Sequence, residues 1–168
     1  VSSKTRFNPG YQATVEDVLA WEKKYKTHVP EGSCVFFRSD WSRTWANMTS
    51  NSKSLEVFAG VKLETLKFLH LKRSILFHGH EPLDTDTTPT LEGEAWLMHN
   101  NYAQAEGLTN LHLVAEHGCL VSIGFAKPLH GTGGYARYIA ICPSSHPHGV
   151  RIADAPGAPL PRQKHPLR

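Results

Sequence analysis

The chain has 168 residues, of which 40% are hydrophobic and 20% are charged. That composition suits a domain with a core and is too apolar for a disordered polymer. The net charge is +3 and the 18 Lys and Arg are scattered, which argues against nucleic acid as a partner. No apolar run approaches the ~20 residues that span a bilayer, so we expect no membrane association. The compartment stays open, with the cytoplasm slightly favoured.

Helices and strands alternate along the first half of the chain. The hydrophobic spacing predicts a helix over 14–28, a strand over 34–37, a long loop over 38–54, a helix over 62–71 and a strand over 74–77. Thr14 is the expected cap of the first helix, because acidic residues follow it in the first turn.

The same alternation continues in the second half. The pattern predicts a polar loop over 79–90, a helix over 92–100, a strand over 102–106, a helical segment over 108–115 and two strands over 119–125 and 135–142. The three Cys lie far apart, two of them in apolar runs, so we predict buried thiols. Together these features predict one mixed α/β domain over residues 1–151, followed by an extended tail over 152–168.

The densest group of His and acidic residues lies between Phe77 and Asp86. Imidazoles and carboxylates are the usual protein ligands of Zn²⁺ and Mn²⁺. The spacing does not choose between a metal site and a solvated surface loop, because the strong His-Glu-x-x-His and Cys-x-x-Cys signatures do not occur. A Gly-x-Ser-x-Gly elbow does not occur either, which leaves a serine hydrolase unsupported.

Five segments, in order, together resemble the cyclase family of metal-dependent hydrolases, which includes bacterial kynurenine formamidases and isatin hydrolases. Residues 106–111, Glu-Gly-Leu-Thr-Asn-Leu, are similar to the family's Glu-Gly/Asn-Leu-x-Asn-Leu segment. The other four segments resemble the family's Arg-Thr-Gly-Trp strand end, its Pro-Gly turn and helix, its Gly-Val-Asp-Thr-Pro-Ser-x-Asp loop and its Gly-rich hairpin, and they lie at 34–41, 58–61, 79–86 and 131–143.

This resemblance implies a swivelling β/β/α fold and hydrolysis of an amide or lactam by water at a bound Mn²⁺ or Zn²⁺. The family's later ligand pair is a His and a Glu twelve residues apart. Glu106 matches the Glu, and the position twelve residues before it is Glu94. His99 is the alternative ligand if the helix is shortened. Glu94 and Glu106 are therefore the catalytic candidates, and Glu94, Glu106 and His99 are the metal candidates.

The resemblance also suggests which residues bind substrate. We expect the six candidates to orient an aromatic or cyclic small molecule, and they are Arg38, Trp41, His80, Glu81, Asp84 and Asp86. A structural role is open for some of them, since Trp41 can belong to the core and Arg38 can pair with Asp40 at a strand end.

One part of the family pattern does not occur in these 168 residues. The N-terminal ligand motif, His-x-x-x-His-x-Asp, is missing, so we expect the N-terminal part of the domain, or a companion chain, to supply those ligands. We also expect a homo-oligomer. The alternative is a non-catalytic, cyclase-like binding module that has lost its metal site.

Overall fold

A computed structural model describes residues 2–6, 8–47, 57–147 and 149 of the chain. The chain divides into two compact units, Val1–Leu113 and Val114–Arg168. The expected tail over 152–168 lies outside the described residues, so the boundary expected at residue 151 stays a prediction. Among the described residues, no helix has the length and hydropathy needed to cross a membrane.

The first unit is built from short parallel strands and the helices that connect them. Its helices are α1 (Ser2–Thr5), α2 (Val15–Tyr25), α3 (Leu63–Lys72) and α4 (Glu92–His99), with 3₁₀ segments at Trp41–Asn47 and Leu111–Leu113. Its strands are β1 (Gln12–Ala13), β2 (Cys34–Phe37), β3 (Gly60–Val61), β4 (Phe77–His80) and β5 (Gln104–Ala105). The strands form a parallel pair β1–β3 and a parallel sheet in the order β2–β4–β5.

Helix α2 begins where the sequence predicts it and ends three residues earlier. The Asp17 backbone N–H donates to the Thr14 hydroxyl at 3.4 Å, and the Thr14 backbone N–H donates to the Asp17 carboxylate at 2.9 Å. This reciprocal capping box satisfies two amides that a helix start leaves without partners. The helix ends at Tyr25 because Lys26 has the left-handed φ of 52°.

Apolar side chains from α2, α3, α4 and the strands form the core of the first unit. Leu66 and Leu69 of α3 and Leu97 of α4 are fully buried. The remaining buried members of the cluster are Ala13, Val18, Val29, Phe37, Val61 and Ile75. This core holds α3 and α4 against the sheet.

The predicted strand over 74–77 is wrong by three residues. Strand β4 spans Phe77–His80 and pairs with β2 from Cys34↔Phe77 to Phe37↔His80. Ser74 has a left-handed φ of 51°, which ends the extended conformation that the apolar residues suggested. The His-Gly-His sequence is therefore part of a buried strand, and the alternative of a solvated loop is wrong.

Glycine is required in the middle of β4 because its neighbours leave no space for a side chain. A Cβ at Gly79 would lie 2.9 Å from Ala105 Cβ on one side and 2.9 Å from Phe36 Cδ1 on the other. Real Cβ atoms essentially never approach so closely. The close approach of β2 and β5 to β4 therefore depends on this glycine.

Two other predictions were too coarse. The loop over 38–54 contains the 3₁₀ helix Trp41–Asn47, and residues 48–56 lie outside the described part. The helical segment predicted over 108–115 is only the 3₁₀ turn Leu111–Leu113. Asn110 has a left-handed φ of 63°, so a longer helix cannot begin before it.

The second unit contains an antiparallel hairpin of β6 (Leu120–Phe125) and β7 (Ala136–Ile141). Both strands were predicted. The prediction of three buried thiols is wrong, because Cys119 and Cys142 form a disulfide and Cys34 is free and half-buried. The register Leu120↔Ile141 places the two bonded Cys opposite each other, just beyond the last strand pair. Apolar spacing alone could not reveal this pairing.

Candidate functional site

Strands β4 and β5 bring the candidate residues of the first unit together. The parallel register pairs His78 with Gln104 and Gly79 with Ala105. His80 and Glu106 follow at the carboxyl ends of these strands, on the same face as that first pair, because side chains two residues apart point the same way. The carboxyl end of a parallel sheet is also where α/β proteins usually bind ligands.

Glu94 and Glu106 come from different elements and influence each other. Glu94 lies in the first turn of α4, and partial burial followed by the charge of Asp84 raises the pKa of its carboxyl group. Glu106 follows β5, and partial burial followed by the charge of Glu94 raises the pKa of that carboxyl group too. The Glu94 Oε2 atom is buried and has no hydrogen-bond partner within the described residues. A bound cation would stabilise both ionised carboxylates and so offset the burial and the charge repulsion that raise their pKa values.

A series of polar contacts links Glu106 to the buried strand β4. The Gln104 amide Nε2 donates to Glu106 Oε1 at 2.7 Å. The Gln104 carbonyl oxygen accepts a short hydrogen bond from the Thr85 hydroxyl, and that hydroxyl lies 3.1 Å from His80 Nε2. His80 Nδ1 donates to the Pro82 carbonyl at 3.0 Å. Sequence reasoning missed Gln104 and Thr85. The signal available was the position of Gln104, two residues before Glu106 on the same strand face.

Three histidines of the first unit, largely enclosed by protein, have neighbouring rings. His70 and His78 have ring centroids 6.0 Å apart, and those of His78 and His80 are 5.8 Å apart. Burial lowers the pKa of His80 to about 4 and lowers those of the other two as well. Both ring nitrogens of His70 and of His78 are buried without hydrogen-bond partners among the described residues. Neutral imidazole is therefore the favoured form of all three at neutral pH.

Glu81 and Asp86 are enclosed by protein and make local hydrogen bonds. Glu81 is fully buried, and its Oε2 accepts from the Ser39 hydroxyl at 3.1 Å and from the Ser42 backbone N–H at 3.3 Å. Asp86 is 2% exposed, and its Oδ2 accepts from the Gly93 backbone N–H at 2.8 Å. Asp86 therefore fixes the start of α4, while Asp84 remains half-exposed beside Glu94.

Arg38 and Trp41 lie just beyond the end of β2. The Arg38 guanidinium forms a two-point ion pair with Asp40, at 2.7 Å and 3.0 Å, and this pair lowers the pKa of the Asp40 carboxyl group. The Trp41 ring is half-buried and meets Trp45 edge to face, with centroids 6.0 Å apart. Both residues are thus ordered by local contacts, and the roles predicted for them in substrate binding stay predictions.

The two alternatives for the ligand before Glu106 have different surroundings. His99 is exposed at the C-terminal end of α4, where its Nδ1 donates to the Ala95 carbonyl at 2.7 Å. Glu94 lies in the first turn, next to Asp84 and close enough to Glu106 to raise its pKa. The choice between Glu94, the ungapped alternative, and His99 stays a prediction.

The acids at the end of β5 fit part of a divalent-cation site. Two carboxylates with a buried, unpartnered oxygen have the chemistry of ligands for a hard ion. Within the residues that the structure describes, however, no group of three or more His, Cys, Asp and Glu is arranged to hold a metal. The roles of Glu94 and Glu106 as metal ligands therefore stay predictions.

Comparison with known proteins identifies the fold and the family. The Cyclase family model, described as "Putative cyclase", matches residues 1–87, slightly more than half of the chain. An isatin hydrolase bound to the product analogue thioisatinate is 20% identical, with a TM-score of 0.72. Isatin hydrolase A from Ralstonia solanacearum is 26% identical with a TM-score of 0.67, and that from Labrenzia aggregata, bound to benzyl benzoate, is 22% identical with a TM-score of 0.63. A comparison with curated proteins finds no match.

The class of protein follows from these matches. The chain is a mixed α/β protein with the fold of the isatin hydrolases; each match covers 83% of this chain and 56% of the solved one. It therefore spans little more than half the length of those proteins. The chain belongs to the cyclase family, as its first half shows directly.

Proposed function

We propose that the chain is part of a metal-dependent hydrolase that cleaves an amide or lactam C–N bond of a small cyclic molecule with an activated water. The raised pKa values of Glu94 in α4 and Glu106 after β5 support this most directly, because shifted carboxyl groups that influence each other are typical of functional sites. Membership of the cyclase family and the fold of isatin hydrolases direct the proposal toward a lactam.

In this proposal Glu94 and Glu106 hold a divalent ion. Their oxygen ligands suit Mn²⁺ better than Zn²⁺, although carboxylates bind both. When bound, such an ion lowers the pKa of water toward ~7 and polarises a carbonyl group. Two protein ligands are too few, so the remaining ones are expected from an N-terminal segment or a companion chain, with a homo-oligomer as the assembly.

Glu106 is the residue best suited to move a proton. Its carboxyl group lies at an exposed position, and its raised pKa brings it closer to neutral pH, where carboxyl groups work best as proton acceptors and donors. Glu94 lies in the first turn of α4, and one of its carboxylate oxygens is buried. A buried oxygen does not exchange protons readily with solvent, which suits a metal ligand better than a proton carrier. Trp41 then borders the substrate with its ring.

A second candidate function is a cyclase-like binding module without catalysis. The observation that favours it is the lack of a third ligand beside Glu94 and Glu106 in the described residues. Under this alternative Glu94 and Glu106 hold no metal and contribute to ligand binding through hydrogen bonds.

The test is hydrolysis of isatin, N-formylkynurenine and simple cyclic amides with added Mn²⁺ or Zn²⁺. The intact mass of every polypeptide in the preparation is measured first, so that the presence of a His-x-x-x-His-x-Asp segment is known. Turnover that depends on this segment and on the metal supports the hydrolase. If a preparation proven to contain the segment binds the substrates without turnover, the binding module becomes the better account.

A further inference from the structure

A fully buried carboxyl group connects the carboxyl ends of β2 and β4. The last pair between these strands is Phe37↔His80, so Ser39 and Glu81 follow at neighbouring strand ends. The Ser39 hydroxyl donates to Glu81 Oε2 at 3.1 Å, and the Ser42 backbone N–H donates to the same oxygen at 3.3 Å. Glu81 is 0% exposed, and both serines are buried. Water therefore does not compete for either hydrogen bond.

These hydrogen bonds lie on both sides of an unusual backbone position. Asp40, between the two serines, has a left-handed φ of 62°. Residues with a side chain rarely adopt this conformation, and it persists when the surrounding structure holds it. The 3₁₀ helix Trp41–Asn47 begins at the next residue, and the Trp41 backbone N–H donates to Ser39 Oγ at 3.3 Å. Glu81 thus holds the turn at Asp40 and, with it, the start of the 3₁₀ helix.

This 3₁₀ helix carries two aromatic rings, Trp41 and Trp45, which contact each other edge to face. The Trp45 ring lies beside Gly107, because a Cβ built on that glycine would be 3.9 Å from Trp45 Cη2. Gly107 directly follows Glu106, and its backbone N–H donates to the Pro82 carbonyl at 2.9 Å. The aromatic pair is therefore next to the segment that carries Glu106.

The burial of Glu81 is not explained by stability alone. Moving a carboxyl group out of water costs free energy, and hydrogen bonds offset this cost only where they are formed. Glu81 Oε1 has no hydrogen-bond partner within the described residues, so part of the cost remains. An apolar side chain would avoid that cost but would leave the Ser39 hydroxyl and the Ser42 amide without their acceptor. The acceptor is what this position supplies.

We propose that Glu81 is a positioning residue, which holds the ring of Trp41 against the substrate through Ser39 and the Ser42 amide. This rests on the proposed function, because Trp41 borders a substrate only in that proposal. Glu81 itself is enclosed by protein, so it acts through the ring. The ring contacts the substrate equally before and during the reaction, so its displacement should raise KM and leave kcat unchanged.

Two pairs of variants remove or keep these hydrogen bonds. Glu81→Met removes the acceptor at similar size, whereas Glu81→Gln keeps one carbonyl oxygen, which can accept both bonds that Oε2 accepts. Ser39→Ala removes the hydroxyl between Glu81 and Trp41, whereas Ser39→Thr keeps it. Melting temperatures identify any variant that has lost its fold. Ser39→Ala removes a single oxygen atom, so it tests the proposal even if Glu81→Met does not fold.

The first readout needs no ligand and is made on the 168-residue chain. Two Trp rings with centroids 6.0 Å apart couple their electronic transitions and give a circular-dichroism couplet, which Trp41→Phe assigns. We expect Glu81→Met and Ser39→Ala to lose most of this couplet, and Glu81→Gln and Ser39→Thr to keep it. An unchanged couplet in Ser39→Ala, or in folded Glu81→Met, would overturn the inference.

The second readout is the interaction with isatin. An aromatic contact is worth about 2- to 10-fold in affinity, so Glu81→Met and Ser39→Ala should raise the Kd of isatin by about that factor. In a preparation that hydrolyses isatin, KM should rise by the same factor and kcat should stay within about twofold of the wild type. Glu81→Gln and Ser39→Thr should match the wild type. A lost couplet with unchanged isatin affinity, or a lower kcat at unchanged KM, would overturn the role of Glu81 in substrate binding.

The two readouts distinguish a failure of this inference from a failure of the proposed function. If the wild type hydrolyses isatin and the couplet is unchanged in Ser39→Ala, only the inference fails. If the wild type neither binds nor hydrolyses isatin, N-formylkynurenine and simple cyclic amides, the proposed function fails, and the role in substrate binding fails with it. The couplet then still decides whether Glu81 positions Trp41.

Discussion

The two units differ in what surrounds their side chains. The first unit encloses apolar residues such as Leu66 together with fully buried polar ones such as His78 and Glu81. In the hairpin of the second unit, large apolar side chains remain exposed, with Phe125 at 64% and Ile139 at 54%. Cys142 is the buried residue of the second unit within its described part, and it belongs to the disulfide.

This difference shows that the two units are stabilised in different ways. The first is stabilised by burial, and it includes buried polar groups that lower its stability and are typical of functional sites. The second has few buried side chains, so its cross-link must contribute much of its stability. Four experiments follow, and the first examines the functional cost of altering the candidate site in the first unit.

Replacing Glu106 with Gln should have the largest effect. The variant keeps the shape of the side chain and loses its charge and its capacity to accept a proton. We expect kcat/KM of the completed enzyme to fall by about 10²- to 10⁴-fold. Steady-state hydrolysis assays measure this, and Glu92→Gln, an exposed acid in the first turn of α4, is the matched control. If both variants retain full activity, Glu106 has no role in catalysis.

Truncation of apolar side chains compares the two units directly. Leu66→Ala should lower the free energy of unfolding of the first unit by about 2–5 kcal/mol, because Leu66 is fully buried. Ile139→Ala in β7 should cost under about 1 kcal/mol, because that side chain is half exposed. All four Trp lie in the first unit, so their fluorescence in urea reports that unit, and hydrogen exchange of β6–β7 amides reports the hairpin. Equal costs would contradict the contrast.

Loss of the disulfide should affect the hairpin. The cross-link closes a loop with a sequence separation of 23, for which chain entropy gives about 3 kcal/mol. We expect Cys119→Ser/Cys142→Ser to abolish slow exchange of β6 and β7 amides. Trp fluorescence of the first unit should keep its urea midpoint, and Cys34→Ser is the control for loss of a thiol alone. Persistent protection in the double variant would show that burial holds the hairpin after all.

Acid should weaken the first unit through its buried histidines. The unfolded chain binds a proton at His80 near pH 6.5, whereas the folded chain does so only near pH 4. Between these values the unfolded state binds more protons, so stability falls as the pH falls, by about 2 kcal/mol at pH 5 for this residue. His70 and His78 act in the same direction, while the raised pKa values of Glu94 and Glu106 act in the opposite one.

The contribution of His80 is obtained from a variant. Urea unfolding of the wild type and of His80→Gln at pH 7 and pH 5 should give a smaller pH dependence in the variant. The matched control is His117→Gln, an exposed histidine of the second unit. An unchanged pH dependence in His80→Gln would mean that folding does not lower the pKa of His80.

Much of the fold could be predicted from local patterns. The start of α2 depended on a capping box formed by neighbouring residues, β2 was marked by an unbroken apolar run, and the hairpin strands were marked by mostly apolar stretches. The position of β4 could not be predicted, because Phe77–His80 forms a strand through its pairing with β2 and β5. Such pairing joins residues that are distant in sequence. It places His-Gly-His in a buried strand, although its composition is that of a polar loop.

The candidate site, like the fold, could be predicted only in part. Glu94 and Glu106 were singled out from a twelve-residue spacing, and their roles stay predictions; the charge of Glu94 adds to burial in raising the pKa of Glu106. Gln104 and Thr85 were missed because Gln and Thr are common surface residues, and only the fold brings them between His80 and Glu106. The disulfide was missed for a related reason, since Cys119 and Cys142 meet only through the hairpin register.

The Cys119–Cys142 cross-link also constrains where the protein can keep its described form. Glutathione and thioredoxin hold most cytosolic thiols reduced, whereas exported proteins mature under oxidising conditions. We therefore expect the hairpin to be ordered in an exported protein and loosened in the cytosol, which opposes the slight preference for the cytoplasm. Thiol counting on the chain expressed in an oxidising host would show whether the cross-link forms under those conditions. One free thiol per chain corresponds to the cross-linked state and three to the reduced state.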